Sequence, residues 1–241
     1  MNLLVKAFLD FFFPPLCHIC HSFIPDAGAV HICPACCGAL KPVEHPFCPV
    51  CGIPFQGAGE DHLCGGCSKN NPSFVAARAV FLYEGECREL IHAFKYRNKT
   101  LLRRPLALMA AGALAEFVSA QAPDVLVPVP LHKKRLRSRG FNQAVLLGEL
   151  LAHEWRLPLA RQAMRRIRWT EPQISLSADE RRHNVKGAFA VSNSAAVAGK
   201  HVLLLDDILT TGSTAEECSR VLKSAGAAEV TVITIARAVI R

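Results

Sequence analysis

The order of apolar and polar positions divides most of the chain into short strands and longer helices. Four runs are almost free of polar residues, which is typical of strands buried on both faces. These runs are residues 74–83, 125–130, 202–205 and 230–235. The segments between them suit helices: residues 86–96, 101–119, 144–155 and 215–225. In 86–96, for example, Leu90, Ile91 and Phe94 share one helix face. This alternation predicts an α/β domain with a parallel sheet flanked by helices.

The first residues form a separate apolar segment. In residues 1–16 the apolar side chains recur at helical spacing, and Pro14 and Pro15 end the pattern. The segment is too short to span a bilayer, Asp10 interrupts it, and it has neither a basic n-region nor an A-x-A cleavage motif. We expect an amphipathic helix packed on its own protein, with contact to a membrane surface as the alternative. No other segment approaches transmembrane length, and we expect a cytoplasmic protein.

Residues 17–67 contain a repeat of cysteine pairs. Each half has two C-x2-C pairs separated by 12 residues, and each cysteine of the first half recurs 31 positions later. The first half contains Cys17, Cys20, Cys33 and Cys36, and the second contains Cys48, Cys51, Cys64 and Cys67. Two thiolates on a tight turn supply half of a tetrahedral site, so the repeat predicts two structural Zn²⁺ ions. Four protein ligands per ion leave no position for catalysis at the metal.

Other uses of the cysteines stay open at this point. A disulfide framework would need an oxidising compartment, and a redox pair would need a single C-x-x-C beside a thioredoxin-like unit. Cys37, Cys87 and Cys218 lie outside the repeat, and Cys218 is expected to be a small core residue. The Asn-Asn-Pro sequence at 70–72 marks a predicted boundary between two domains, residues 1–70 and residues 71–241.

Composition adds a mild positive charge to this picture. An apolar fraction of 51% over 241 residues is enough for a folded core. The formal net charge is +8, and eight thiolates binding two zinc ions would lower it to about +4. That charge suits an anionic ligand and nucleic acid equally well.

A pair of carboxylates follows the apolar run at 202–205. Asp206 and Asp207 stand where that strand is expected to end, and a loop of small polar residues leads into the next helix. The loop consists of Thr210, Thr211, Gly212, Ser213 and Thr214. Free N–H groups at a helix start bind anions, so the pattern predicts a phosphate site beside two carboxylates at the carboxyl end of the sheet. The lysine of a Walker loop is absent. The plain alternative, an aspartate helix cap, would need only one carboxylate.

A basic segment follows the strand at 125–130. Pro128 and Pro130 take the backbone out of the sheet, and five of the seven residues at 133–139 are cationic. The cations are Lys133, Lys134, Arg135, Arg137 and Arg139. We expect a cationic loop that would bind a pyrophosphate if the acidic pair holds a sugar. A solvated basic face is the alternative.

The polar stretch at 168–189 separates a predicted short strand, residues 163–167, from the acidic strand. Its start is proline-broken, and its later part suits a short helix capped by Ser177. A mobile hood over the site is one interpretation, and an ordinary surface crossover is the other.

Together these motifs resemble known families. Residues 202–214 resemble the 13-residue signature with which type I phosphoribosyltransferases bind 5-phosphoribosyl 1-pyrophosphate (PRPP). The chain as a whole resembles the ComF family, also called GntX-like or competence protein F-like. The resemblance runs from the Phe-Phe-Pro-Pro start and the cysteine repeat, through VPVPLH, RGFNQ and R-x-T-x-x-Q, to DDILTTGST. It implies a double zinc ribbon joined to a type I phosphoribosyltransferase-like domain.

The resemblance also implies roles for individual residues. Asp206 and Asp207 would hold the ribose hydroxyls, directly or with Mg²⁺, and Thr210 to Thr214 would bind the 5′-phosphate. Residues 127–131 resemble the pyrophosphate loop, so the expected pyrophosphate contacts are Val129, Pro130, Leu131, Lys133, Arg135 and Arg139. The flexible-loop and hood region would contribute Arg168, Thr170, Gln173, Arg182 and Asn184.

The function implied is that of a PRPP-binding protein in nucleotide-related metabolism or in competence for DNA uptake. Whether it is a phosphoribosyltransferase depends on an acceptor nucleophile that no residue identifies. The rival hypothesis is a non-catalytic protein that handles single-stranded DNA, with Tyr96, Phe141 and Trp169 stacking bases between cations. The acidic pair favours a metal and sugar hydroxyls over nucleic-acid phosphate. Expected partners are PRPP, single-stranded DNA, competence proteins and a second copy in a homodimer.

Overall fold

The computed structural model describes residues 12–25, 27, 30–96, 99–170 and 178–239. The strands are β1 (Ala76–Leu82), β2 (Val125–Pro128), β3 (Met164–Arg166), β4 (Phe189–Val191), β5 (His201–Leu209) and β6 (Glu229–Arg237). The helices are α1 (Pro34–Gly38), α2 (Gly65–Lys69), α3 (Gly85–Tyr96), α4 (Arg103–Ala113), α5 (Ala115–Gln121), α6 (Lys133–Arg139), α7 (Gln143–Glu154), α8 (Ala178–Val185) and α9 (Ser213–Ser224). The amphipathic helix predicted for residues 1–16 falls mostly outside the described residues.

Four strands form one parallel sheet in the order β1-β6-β5-β2, which confirms the predicted fold class. The central strands β5 and β6 pair from His201–Glu229 to Leu209–Arg237. β2 pairs with β5 only as far as Pro128–Leu205. A proline cannot continue a strand ladder, so β5 extends beyond the end of β2.

Helices cover both faces of the sheet. Because side chains alternate along a strand, Leu203 and Leu205 pack with residues of α3, α4 and α7, whereas Val202 and Leu204 pack with α9. Cys218 of α9 is fully buried among these residues, which confirms its predicted place in the core. Across the described ranges, no helix is long and apolar enough to cross a bilayer.

Other parts of the chain cover both edges of the sheet. Residues 41–50 of the cysteine-rich region run beside β1, where the Val43 N–H donates to the Val80 carbonyl at 2.9 Å. On the opposite edge, residues 158–160 exchange backbone hydrogen bonds with Leu126 of β2. The cysteine-rich region is therefore joined to the sheet through the backbone as well as through side chains.

The long helix predicted for 101–119 is divided in the structure. A 3₁₀ turn at Thr100–Leu102 precedes α4, and α5 starts a second helix at Ala115. Between them Leu114 leaves the helical region, at φ −104° and ψ 5°, and its side chain is buried. Gly112 weakens the helix just before this break, and burial of Leu114 fixes the turn.

The prediction of a cationic loop at 133–139 was wrong, because these residues form α6. The His132 ring caps the helix start, where its Nδ1 accepts a hydrogen bond from the Lys134 N–H at 3.2 Å. Gly140 ends the helix in the left-handed region at φ +83°. Lysine and arginine favour helix, and the two arginines of the last turn suit the helix dipole.

β3 and β4 form a small antiparallel unit with α8 between them. β3 lies within the strand predicted at 163–167, and α8 begins directly after Ser177, which itself falls outside the described residues. Both α8 and β4 contact α9. The region predicted as a hood is therefore attached to the helix that follows the acidic strand.

Candidate functional site

Asp206 and Asp207 lie inside β5, so the expected end of this strand at residue 205 was wrong. β6 continues alongside as far as the Leu209–Arg237 pair and keeps the backbone extended through both aspartates. The two carboxylates nevertheless lie beyond the last residue pair of β2 and β5. They stand at the carboxyl end of the sheet, where open α/β folds bind ligands.

Asp207 forms an ion pair with a lysine that the sequence analysis did not assign to the site. Lys95 Nζ, in the last turn of α3, lies 2.9 Å from Asp207 Oδ2, and the two side chains are 17% and 11% exposed. A pair this sheltered is screened less than a surface pair. The only sequence signal was the basic run that ends helix 86–96, and helix spacing alone does not bring it to β5.

Asp206 has a different environment from its neighbour. Its Oδ1 accepts a hydrogen bond from the Asp207 N–H at 2.8 Å. Burial raises the pKa of Asp206 to about 7, and the adjacent Asp207 charge acts in the same direction. The positive charges of Lys95 and Arg166 oppose this shift. The site therefore contains two adjacent carboxylates, and the one with the raised pKa would ionise more readily if a further positive charge were bound nearby.

Arg166 is the second cation that sequence reasoning missed. It is the last residue of β3, its guanidinium lies 5.1 Å from the centre of the Phe189 ring, and it donates to Thr170 Oγ1. Burial lowers the pKa of Arg166, and the nearby charge of Arg135 lowers it further. Within the described residues its Nε has no hydrogen-bond partner. Arg166 thus brings an incompletely paired cation close to Asp206.

The loop from Thr210 to Thr214 joins β5 to α9. Gly212 adopts φ +81°, and α9 begins at Ser213, so the loop turns sharply into the helix. The hydroxyls of Thr211 and Ser213 lie 2.8 Å apart. Leaving aside Gly212 and its two chain neighbours, no heavy atom of the described residues lies within 4 Å of the position that a Cβ at Gly212 would take. The N–H groups of the first turn of α9 therefore form a candidate anion site.

Two glutamates in the first turns of α9 are engaged by other groups. The Glu216 carboxylate accepts hydrogen bonds from the Ser73 N–H and hydroxyl, both at 2.7 Å. Glu217 accepts from Arg220 and from the Gly187 N–H, and these contacts lower the pKa of its carboxyl. Because both carboxylates are paired with these groups, they repel an anion at the helix start less than free carboxylates would.

The predicted pyrophosphate loop leaves the sheet next to the acidic strand. The Val129 N–H donates to the Leu205 carbonyl at 2.8 Å, and Val129 is buried, whereas Pro130 and Leu131 are half-buried. Asn142 holds this loop from the other side, because its Nδ2 donates to the Val129 carbonyl at 3.0 Å and its Oδ1 caps α7. The asparagine of the RGFNQ motif thus has a positioning role.

The cations of α6 point in several directions. Lys133, Lys134 and Arg137 are exposed, whereas Arg135 and Arg139 are half-buried. The Arg135 guanidinium lies 5.4 Å from the centre of the Trp169 ring, and the Lys134 ammonium group lies 5.6 Å from the same ring centre. Arg135 is also close enough to Arg166 to affect its pKa.

One turn further along α6, the Arg139 guanidinium lies 5.0 Å from the Tyr96 ring centre. Tyr96 follows Lys95, the partner of Asp207, in the chain. Of the two half-buried arginines of α6, Arg135 therefore lies near Trp169 and Arg166, and Arg139 lies near Tyr96, whereas the other cations of the helix are exposed.

The residues predicted for the flexible-loop region are only partly brought to the site. Arg168 donates to the carbonyls of Asn184 at 2.9 Å and Lys186 at 2.7 Å, so it ties this loop to the end of α8. Thr170 is buried and accepts from Arg166. Gln173 and the Arg182 side chain lie outside the described residues.

The eight repeat cysteines form two separate clusters, each built within one repeat. In both clusters the four ligand atoms lie within 4.8 Å of one another. Backbone N–H groups point at the sulfurs, as from Cys33 to Cys17 Sγ at 3.3 Å and from Cys67 to Cys64 Sγ at 3.4 Å. Four thiolates in a knuckle of this size fit tetrahedral Zn²⁺, as predicted.

In each cluster, the residue that follows the first C-x2-C pair adopts the left-handed backbone conformation. Gly52 adopts φ +64°, and His21, at the equivalent repeat position, adopts φ +60°. A Cβ at Gly52 would lie 2.5 Å from the Ala77 carbonyl oxygen. Glycine is therefore required in the second repeat, where the turn packs directly on β1.

Comparisons with known proteins agree with this architecture. The double zinc ribbon domain family matches residues 8–68, and the phosphoribosyl transferase domain family matches residues 141–239. Competence protein F of Haemophilus influenzae is 34% identical over 178 residues, which cover 72% of this chain and 78% of that protein. The chain belongs to the competence protein F family. The predicted family is thereby confirmed.

Other relatives within the family have related names. DNA utilization protein YhgH of Salmonella typhimurium is 34% identical over 228 residues, 92% of this chain and 90% of that protein. Competence protein ComFC of Bacillus subtilis is 32% identical over 164 residues, 66% of this chain and 63% of that protein.

Solved structures that are similar to this chain include phosphoribosyltransferases. A purine phosphoribosyltransferase from Pyrococcus horikoshii is 22% identical, with a TM-score of 0.34, over 55% of this chain and 72% of that one. An adenine phosphoribosyltransferase is 17% identical, with a TM-score of 0.39, over 70% of this chain and 82% of that one. The predicted domain boundary at 70/71 stays a prediction.

Proposed function

We propose that this protein binds PRPP, or a related 5-phosphoribosyl ligand, together with Mg²⁺ at the carboxyl end of β5. The observation that carries the proposal is the placement of Asp206 and Asp207 in β5, directly before a loop that opens into the start of α9. Carboxylates suit sugar hydroxyls and a hard cation, and free helix N–H groups suit a phosphate. A single ligand that carries all of these groups would use both parts of the site.

In this arrangement the 5′-phosphate lies on the first turn of α9, at Thr210 to Thr214. The ribose hydroxyls lie on the acidic pair, and the pyrophosphate faces Val129 to Leu131. Arg135 and Arg166 supply positive charge from the side of Trp169, and Arg139 does so from the side of Tyr96. The exposed Lys133 is then a weaker, solvent-screened contact than the sequence analysis expected.

The donor set at the acidic pair fits Mg²⁺. Two adjacent carboxylates offer the oxygen ligands that Mg²⁺ prefers, and burial together with the neighbouring Asp207 charge raises the pKa of Asp206, so a bound cation would favour its ionised form. When bound, the ion would supply charge to the departing pyrophosphate during phosphoribosyl transfer. Lys95 already holds one of these carboxylates, so the ammonium group and a metal-bound ligand compete for Asp207.

The wider role that we propose is in the use of DNA taken up by the cell. The names of the relatives, competence protein F and DNA utilization protein, support this role. Two cysteine clusters that need reduced thiols suit the cytoplasm. A homodimer and a phosphoribosyl transfer reaction are extensions of the proposal that depend on an acceptor and a second copy being found.

The test is calorimetric titration of PRPP with and without Mg²⁺. Asp207→Asn should weaken Mg²⁺-dependent binding by about tenfold or more, equivalent to about 1.4 kcal/mol. Asp124→Asn is the matched control, because Asp124 accepts a hydrogen bond from the His201 N–H at the opposite end of β5. Absence of PRPP binding to folded wild-type protein, or equal losses in both variants, would refute the proposal.

A competition measurement separates the proposal from the single-stranded DNA hypothesis. Single-strand binding that PRPP leaves unchanged, and that falls steeply with salt, would indicate a DNA site apart from the acidic pair. We expect PRPP affinity to depend on Asp207 and DNA affinity to be indifferent to it.

A further inference from the structure

An open cleft lies between the start of α4 and the segment that joins α6 to α7. Its volume is about 460 Å³. Leu101, Phe141 and Leu146 form its apolar part, and Arg103 and Arg139 form its cationic part. Among the described residues that line the cleft, none is acidic. We refer to it as the Leu101 cleft, and it combines an apolar surface with positive charge.

The exposure of Leu101 follows from the 3₁₀ turn that carries it. The next residue, Leu102, is fully buried and fixes the turn to the core, so Leu101 is held outward and is 76% exposed. Phe141, by contrast, is half-buried, and its ring centre lies 5.7 Å from that of the fully buried Phe94. The cleft therefore has a floor anchored in the core and a projecting aliphatic wall. Exposed apolar groups rimmed by polar ones are typical of interaction sites.

The two arginines leave an excess of positive charge beside this apolar surface. Arg103 Nη1 lies 4.0 Å from Glu149 Oε2, whereas the other Glu149 oxygen lies 3.0 Å from Arg161 Nη1. The single carboxylate is thus engaged mainly by Arg161, and the Arg103 side chain is 47% exposed. Arg139 lies over the Tyr96 ring, and no carboxylate of the described residues lies within 4.0 Å of its nitrogens. Both guanidinium groups can therefore accept an anionic partner.

The walls of the cleft favour a peptide side chain over a nucleobase. Single-stranded nucleic acids bind by stacking their bases on exposed aromatic rings. Here the projecting wall is the aliphatic Leu101, and the Phe141 ring packs against the core. The nearby Tyr96 ring is already flanked by the Arg139 guanidinium at 5.0 Å and the His92 ring at 4.8 Å. A compact apolar side chain fits this surface, and guanidinium groups suit carboxylates.

We propose that the Leu101 cleft binds an acidic peptide segment of a partner protein. An apolar side chain of the peptide packs on Leu101, Phe141 and Leu146, and its carboxylates pair with Arg103 and Arg139. The apolar anchor supplies most of the affinity, and the charges steer the peptide to the cleft. The cleft excludes the acidic pair and the phosphate loop, so the inference does not rest on PRPP binding. Arg139 is also a proposed pyrophosphate contact, so the tests change other residues.

Fluorescence anisotropy with a labelled peptide tests the proposal on the full chain. The probe has a phenylalanine between pairs of aspartates, and both of its ends are capped. Wild type should bind it with a Kd on the order of 10 µM at low salt, and more weakly as salt is added. A peptide with alanine in place of phenylalanine, and one with lysines in place of the aspartates, should each bind at least about tenfold more weakly.

Two substitutions with matched controls locate the site. Leu101→Asp should weaken binding by about tenfold or more, because it removes the apolar wall and repels the aspartates. Leu63→Asp makes the same change at a leucine of the second ribbon that is 50% exposed, and should stay within about twofold of wild type. Arg103→Ala should weaken binding about fivefold, and Arg104→Ala, at the next exposed position of α4, should not. All four side chains are exposed, so urea unfolding midpoints should be unchanged.

Three outcomes would overturn the peptide as occupant: no saturable binding to wild type, equal binding by Leu101→Asp and Leu63→Asp, or equal binding by Arg103→Ala and Arg104→Ala. An oligothymidine that binds more tightly than the peptide, and that Leu101→Asp and Arg103→Ala weaken, would do the same and assign the cleft to nucleic acid. If the peptide binds as expected but PRPP does not bind wild type, the cleft stands and the proposed function is wrong. If PRPP binds and the peptide does not, the proposed function stands and the cleft inference is wrong.

Discussion

Replacing Lys95 by methionine tests how much the positive charge of Lys95 stabilises the acidic pair. Methionine keeps the length and the apolar stem of lysine, so packing in the last turn of α3 is preserved. The change removes the ammonium group that lies 2.9 Å from Asp207 Oδ2. Asp206 and Asp207 are then left side by side without it.

The size of the effect follows from the burial of the pair. Two unit charges about 4 Å apart attract by about 4 kcal/mol at an effective dielectric constant of about 20, and removing one partner of a buried pair costs about 3–5 kcal/mol. The side chains are only 17% and 11% exposed, so the ion pair is largely shielded from water. We therefore expect Lys95→Met to lower the free energy of unfolding by about 3 kcal/mol at pH 8.

The loss should shrink in acid, and the sign follows from Asp206. Its pKa is about 7 in the folded protein, and the Lys95 charge holds it lower than it would otherwise be. Removing Lys95 raises this pKa further, so at pH 5.5 Asp206 carries a proton in the folded state and no longer repels Asp207. In the unfolded chain the same carboxyl is ionised at pH 5.5. The folded variant then binds more protons than the unfolded one, and its stability falls as pH rises toward 8.

Urea unfolding of wild type and Lys95→Met at pH 5.5 and pH 8 measures the loss of unfolding free energy and its dependence on pH. The control is Lys41→Met, which breaks the Lys41–Glu84 pair, 2.7 Å long but 68% and 50% exposed. That variant should lose less than about 1 kcal/mol, with little dependence on pH. Adding Mg²⁺ at pH 8 should restore more stability to Lys95→Met than to wild type. A loss equal to that of Lys41→Met, or one independent of pH, would refute the reasoning.

Three further predictions concern the site and the ribbons. Mg²⁺-dependent PRPP binding should strengthen from pH 6 to pH 8, because Asp206 loses its proton near pH 7; titrations of Asp206→Asn should show a flatter pH profile. Arg135→Ala should weaken PRPP binding by about tenfold, and Arg137→Ala, on the exposed side of the same helix, should change it little. Metal analysis should give about two zinc ions per chain, unchanged by Cys87→Ser; finding about one zinc, or disulfides, would contradict the two-site assignment.

The parts of this protein that the sequence predicted correctly are those encoded in neighbouring residues. The cysteine spacing predicts each cluster because the ligands come from two tight turns, and the apolar runs predict the strands because both faces of the sheet are covered. The position of Asp206 and Asp207 at the carboxyl end of the sheet could be predicted for the same reason, since they adjoin a buried run and a glycine-containing loop, whereas their role in binding stays a prediction.

The residues that sequence reasoning missed depend on contacts between distant segments. Lys95 meets Asp207 only because α3 ends beside the carboxyl end of β5, and Arg237 donates to the Leu209 and Thr210 carbonyls only because β6 ends beside β5. Neither contact leaves a pattern in the local sequence. Helix α6 was predicted as a loop because of its high density of charge, although two ordinary helix-end residues flank it, the His132 cap and Gly140.

The cysteine-rich region also protects the edge of the sheet. Residues 41–50 satisfy backbone groups of β1 that would otherwise face solvent, such as the N–H of Ala77 and the carbonyl of Val80. An uncovered strand edge is a template on which further chains can add. A chain shortened to residues 71–241 would expose this apolar edge, so loss of the zinc ribbons should lead to self-association and precipitation even if the sheet itself stays folded.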